Sequence, residues 1–264
     1  MKRRLQAILP AVLAAVLLIA GAGGLARLAE PREAAEAEPE EANPRMFDDT
    51  GHVPIGEKAA HAETLDGPAG SRSVTGTEDI ALTFDDGPNP AWTAEVLDIL
   101  AYYGVRATFC VIGSNAAEHP DLVKRMADEG HTLCNHSWDH DFELGWRPPE
   151  RIREDLERTN EAIRAAAGED TPIEYFRQPG GRWTETVVAA AEDLGMDSLH
   201  WTVEASDWSS GTGSGAIRDA VVQKAVPGSI VLLHDGGGDQ SATVEALGPV
   251  LDGLWERERS LAAF

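Results

Sequence analysis

From residue 79 onward, short runs rich in β-branched and aromatic residues alternate with longer stretches whose apolar residues recur every three or four positions. The runs at 80–84, 107–112, 131–135, 174–177, 198–203 and 229–234 read as strands. The stretches at 90–102, 120–129, 149–167, 184–194, 215–225 and 241–256 read as amphipathic helices. Strand then helix, repeated along the chain, predicts an α/β fold built on a parallel sheet or barrel. In such folds the strand-to-helix loops converge at the carboxyl ends of the strands, and ligands bind there. Asp85 and Asp86 follow the first strand, His136 the third, Arg177 the fourth, Asp207 and Trp208 the fifth, and His234 closes the sixth, so a single site is expected.

The pattern before residue 79 is of another kind. Lys2, Arg3 and Arg4 precede a run from residue 5 to 25 that is apolar or small apart from Gln6 and Pro10, which reads as an export signal. Residues 1–26 are therefore expected to be a signal peptide or a membrane anchor, and both place the rest of the chain outside the cytoplasm. Residues 27–78 are rich in Ala, Glu, Pro and Gly and poor in clustered large apolar residues, a composition that cannot offset its ordering entropy. They are expected to form a disordered acidic tether, with the folded domain at 79–264.

Charge narrows the partners. The chain holds 45 acidic and 22 basic residues, a net charge of −23, and 32 acidic against 14 basic of these fall within residues 80–264. Phosphate binding needs a basic surface, so nucleic acid is excluded as a partner, polyanionic polymers are disfavoured, and a neutral glycan fits. A membrane partner is expected only through the N-terminal anchor, and no protein partner is implied. Cys110 and Cys134 are the only cysteines; each lies late in a predicted strand, compatible with a bridge or with two small core residues.

Three segments carry candidate chemistry. Thr83-Phe84-Asp85-Asp86-Gly87-Pro88 puts two carboxylates side by side where a strand ends in a turn, and adjacent carboxylates repel unless a cation or a basic partner separates them. Asn135-His136-Ser137-Trp138-Asp139-His140 offers two imidazoles four residues apart, which one helical turn would bring onto one face. One carboxylate with two imidazoles is a three-ligand set that leaves positions open for water and substrate, as catalytic metal sites do. Phe176-Arg177-Gln178-Pro179-Gly180-Gly181 ends a strand with an arginine and a tight turn whose backbone N–H groups can face a ligand.

With Trp201 to Trp208 and Ile230 to Asp235, these segments resemble, in order and spacing, the polysaccharide deacetylase family, carbohydrate esterase family four, over residues 80 to about 256. The resemblance implies a distorted (β/α)-barrel and one divalent metal ion on Asp86, His136 and His140, zinc first, with cobalt, nickel or manganese compatible with the same donors. It further implies Asp85 as catalytic base with Arg177 as its partner, His234 as acid with Asp207 as its partner, and Trp208 and Leu232 lining an acetyl pocket. The oxyanion would be held by the metal and the Gly180 N–H, and the substrate would be an acetylated glycan. Two departures stand out: Gln178 and Gly180 replace a proline and a tyrosine of the usual third motif, which is expected to open the groove, and Glu204 replaces a common aspartate. With Arg259 to Phe264 where relatives carry a closing strand and helix, the barrel's last seam is expected to be incomplete. An N-deacetylase of a GlcNAc-containing glycan of peptidoglycan or chitin type is the expected activity; an O-acetyl esterase on xylan-like glycans and a glycan-binding pseudoenzyme are the alternatives.

Overall fold

The computed structural model describes residues 67–264; the export run and residues 27–66 of the expected tether lie outside them. Seven parallel strands form one curled sheet: β1 (Ala81–Asp85), β2 (Thr108–Val111), β3 (Thr132–Asn135), β4 (Tyr175–Phe176), β5 (Asp197–Ser198), β6 (Val203–Glu204) and β7 (Ile230–His234), in the order β5-β4-β3-β2-β1-β7-β6. The run expected as one strand at 198–203 is thus two strands on opposite edges, β5 beside β4 and β6 beside β7. Residues 199–202 span from one edge to the other, so the seam lies within this run and not at the C-terminus. The C-terminal segment instead pairs Leu261 with Ile80 and buries Phe264.

Alternation along the strands sorts the residues into two layers. Leu82 and Phe84 of β1 and Val231 and Leu233 of β7 belong to the large core between sheet and helices. Ala81 and Ile230 face the other way, into a smaller cluster with Cys110, Cys134, Tyr175, Leu199 and Phe264 that fills the barrel interior. With period two, the same inward series on β1 runs Ala81, Thr83, Asp85, and on β7 Ile230, Leu232, His234. The apolar members plug the base and the polar ones arrive at the carboxyl ends. Cys110 and Cys134 are register partners on β2 and β3 and form a disulfide.

Among the described residues, seven α-helices cover the sheet: α1 (Thr93–Tyr103), α2 (Gly113–Glu118), α3 (Pro120–Asp128), α4 (Pro149–Ala167), α5 (Glu185–Asp193), α6 (Ser214–Lys224) and α7 (Ser241–Glu256). The short α2, with its Gly, Ser and Asn, gave no apolar periodicity to read. The last part of the expected tether is also ordered. Ser71, Arg72, Ser73 and Thr75 are buried, and this segment pairs Arg72 with Leu199 and Val74 with Ser229. Its backbone hydrogen bonds hold it there despite the lack of large apolar side chains.

Candidate active site

Asp85 ends β1 and His234 ends β7, and the two are register partners on adjacent strands. Each is held by a buried partner. Arg177 is fully buried, and its Nη1 donates to Asp85 Oδ1 at 2.7 Å and to Thr83 Oγ1 at 2.8 Å, while its Nε donates to the Leu199 carbonyl at 3.1 Å. The guanidinium fork therefore fixes the carboxylate on one side and the seam on the other. In the loop after β6, Asp207 accepts from the His234 ring at Nδ1 (2.8 Å), from the His234 backbone N–H (2.8 Å) and from Thr243 Oγ1 (3.0 Å). With Nδ1–H committed to a carboxylate, Nε2 is the atom His234 presents. Burial lowers the His234 pKa, but the hydrogen bond and charge of Asp207, followed by Asp85 and Asp86, outweigh it and push it up to about 9.

Between these pairs stand Asp86, His136 and His140. Asp86 Oδ1 lies 3.3 Å from His136 Nε2 and 3.1 Å from His140 Nε2, and one ligand atom from each of the three residues falls within 4.8 Å of the others. His136 Nδ1 sits 2.8 Å from the Arg177 carbonyl, which can only accept, so this nitrogen carries a hydrogen and the Nε2 lone pair is free to ligate. Among the described residues Asp86 Oδ1 is buried with no hydrogen-bond partner, an orphan acceptor that a cation would satisfy. Burial raises the Asp86 pKa, but the close approach of His136, with the charge of His140 and His234, brings it down to about 2. The His136 pKa is lowered by burial and raised on balance by Asp85 and Asp86, the attraction that a metal would use in place of a proton. His140 goes the other way, lowered by burial and the neighbouring His136. The donor set, its tautomer and the orphan oxygen all fit a divalent metal ion.

The His136 to His140 segment is not the helical turn that its spacing suggested. It is an extended loop in which Ser137 (φ 63°) and His140 (φ 57°) adopt left-handed backbone, as does Asp86 (φ 71°). Polar contacts dictate this path: Ser137 N–H donates to Asn135 Oδ1, Trp138 N–H to Asp155 Oδ1, and the Ser137 and Trp138 carbonyls accept from Gly113 and Ser114. The two rings end 5.1 Å apart.

A cavity of about 390 Å³ opens over these residues. Gly180, Trp208 and Leu232 line it, as do Phe142, Trp201 and Glu204. The groove is not opened at Gly180. The Phe142 ring packs so closely that a Cβ on Gly180 would lie 2.6 Å from it, and Gly180 also holds left-handed backbone (φ 61°). Phe142 was missed in the sequence because a lone aromatic in a polar loop carries no periodicity; its position two residues after His140 was the available signal. The Gly180 N–H makes no hydrogen bond among the described residues. A carboxylate braced by arginine, an imidazolium braced by carboxylate and a metal site between them can activate water and protonate a leaving group.

Comparison with known proteins is consistent with this arrangement. A family model described as polysaccharide deacetylase matches residues 72–199. A chitooligosaccharide deacetylase of Sinorhizobium fredii is 44% identical over 167 residues, covering 62% of this chain and 75% of that protein. The crystal structure of a peptidoglycan N-acetylglucosamine deacetylase superposes with a TM-score of 0.67 at 31% identity, covering 71% of this chain and 86% of that one. A pseudoenzyme of carbohydrate esterase family four from Bacillus anthracis superposes with a TM-score of 0.65 at 28% identity, covering 71% of this chain and 64% of that one.

Proposed function

The chain belongs to the polysaccharide deacetylase family, carbohydrate esterase family four, and from that premise we propose that it hydrolyses N-acetyl groups on a GlcNAc-containing glycan of chitin or peptidoglycan type. The observation that carries this reading is the placement of the Asp86, His136 and His140 donors between the Asp85–Arg177 and His234–Asp207 pairs.

A divalent cation on Asp86, His136 and His140, for which zinc is our first choice, would polarise the acetyl carbonyl and acidify water. Asp85, oriented by Arg177, takes the proton of the water that attacks the carbonyl carbon. The Gly180 N–H, uncommitted in its turn, donates to the oxyanion. His234 then gives its Nε2 proton to the nitrogen as the carbon–nitrogen bond breaks, and acetate and the sugar amine leave. Leu232 and Trp208 enclose the acetyl methyl group. The apolar run behind Lys2, Arg3 and Arg4 and the Cys110–Cys134 bridge support placing the reaction outside the cytoplasm, secreted or anchored.

The test is acetate release from chitooligosaccharides, peptidoglycan and acetylated xylan, with chelation and metal add-back. We expect release from the N-acetyl glycans, its loss on chelation and its return with zinc. Release only from xylan would transfer the reading to an O-acetyl esterase. No release from any substrate by metal-loaded protein would place the chain with the pseudoenzymes.

A further inference from the structure

One side of the cavity mouth is formed by an aromatic ring that is exposed yet held in place. Phe142 keeps 45% of its surface accessible, whereas every other phenylalanine of the described residues is buried. An exposed benzyl group on a loop would ordinarily turn against the protein surface to shed water. Here it is locked upright from three directions. The His140 ring meets it edge to face, with centroids 4.6 Å apart at 82°. The Arg182 guanidinium lies 5.3 Å from its centroid and is itself tied to Glu143 by an ion pair. The absent side chain of Gly180 leaves the space that its edge occupies. Trp208, 61% exposed and held through Nε1 by Glu204 Oε1 at 2.9 Å, lines the same cavity.

We propose that Phe142 is a stacking platform for a pyranose ring of the glycan, making it a specificity-determining residue for an extended carbohydrate over a small acetylated molecule. The occupant follows from the chemistry around the ring. A group bound at the metal donors lies close to Phe142, because the ring packs against His140. The carboxylates of Glu204, Asp85 and Asp86 line the same cavity and offer acceptors for hydroxyl groups. A sugar offers a flat patch of C–H groups to the ring and hydroxyls to the carboxylates. This inference rests on the glycan reading above, and its test is therefore made by binding rather than by turnover.

Calorimetric titration of a GlcNAc oligosaccharide into the full chain and into F142A, F142L and F142W provides the test, with the zinc affinity of each variant measured alongside. F142A is expected to weaken oligosaccharide binding by about fivefold to tenfold, the worth of one aromatic contact. F142W is expected to restore binding. F142L, which fills the space beside Gly180 without a flat face, is expected not to, while zinc affinity stays within about twofold throughout. Unchanged binding in F142A, or F142L binding as well as F142W, overturns the platform, as does a chain that binds no oligosaccharide. Absence of acetate release from a chain that binds the sugar through Phe142 would sink the catalytic reading and leave the platform standing.

Discussion

His234 and His131 show the same side chain driven in opposite directions by its surroundings. At His234 the Asp207 carboxylate overrides burial and carries the pKa up to about 9, and a cation on Asp86 would oppose the share owed to Asp85 and Asp86 and draw it lower. An acid must hold its proton, so the rate is expected to fall as pH rises through this pKa. D207N is expected to move that alkaline limb down by about one pH unit or more, read from kcat/KM against pH; an unmoved limb would mean that another group sets it. At His131, which packs against Phe109 and whose Nδ1 accepts from Ala107 N–H, burial first, and then Arg106 and Arg125, lower the pKa to about 4. Below its ordinary value of 6.5 the unfolded chain binds this proton and the folded chain does not. Stability is therefore lost as pH falls from about 6.5 through 4, by up to about 3 kcal/mol. H131N keeps an acceptor for Ala107 without the titration and is expected to flatten that part of the acid limb in urea melts taken across this range.

Helix α4 is the element that shapes the metal loop. Asn135, at the end of β3, donates through Nδ2 to the Leu156 carbonyl at 2.9 Å and to Asn160 Oδ1 at 2.8 Å, leaving its Oδ1 for Ser137. Asp155 takes the Trp138 N–H at 2.9 Å, and the Arg158 guanidinium sits 3.4 Å from the centroid of the Trp138 ring. Trp138 also packs against Gly113, where a Cβ would lie 2.7 Å from the ring. Trp138, midway between the two histidines of the candidate donor set, is thus fixed by a helix that contributes no donor. D155A is expected to weaken zinc binding by about tenfold to a hundredfold in competition with a chromophoric chelator, and D155N, which keeps the acceptor, by much less. Equal affinity of D155A and the parent protein would show that the loop holds its shape without α4. The residue types of the donor set were legible in the sequence, because Asp and His at strand ends are rare combinations. Their geometry was not: His-x-x-x-His spacing suggests a helix, and only contacts to α2 and α4, distant in sequence, select the left-handed path. Gly180 misled for the same reason, since what fills its space comes from 38 residues earlier in the chain.

At the scale of the whole molecule, closure of the barrel is the part that hydropathy concealed. The alternation through 198–203 is continuous, so nothing in the pattern marks the point where β5 ends on one edge and β6 begins on the other; curvature of the whole sheet separates them. The segment that staples this seam was equally hidden. Its sequence, Ser71-Arg72-Ser73-Val74-Thr75, reads as an extension of the polar tether because it has few apolar side chains; it is held by backbone hydrogen bonds and by the buried Arg72, which pairs with Asp197 and lies over Phe264. Arg72 N–H donates to the Ser198 carbonyl and the Arg72 carbonyl accepts from His200, both at 2.7 Å, tying it to the β5 side. Thr75 N–H donates to the Gly228 carbonyl at 2.8 Å, tying it to the base of β7. The staple thus spans the two flanks of the run that carries Leu199 and His200, whose carbonyls hold Arg177 and through it Asp85. A chain beginning at residue 79, where hydropathy places the boundary, would lose these three hydrogen bonds, worth about 1 kcal/mol each, and leave their partners exposed at the seam. For a domain of this size we expect a melting temperature about 10 °C below that of a chain beginning at residue 67. Arg177 would be less firmly held in the shorter chain, so its kcat should fall by more than its zinc affinity. Matching melting temperatures and matching kcat in the two chains would show that the seam is closed by β5, β6 and their helices alone.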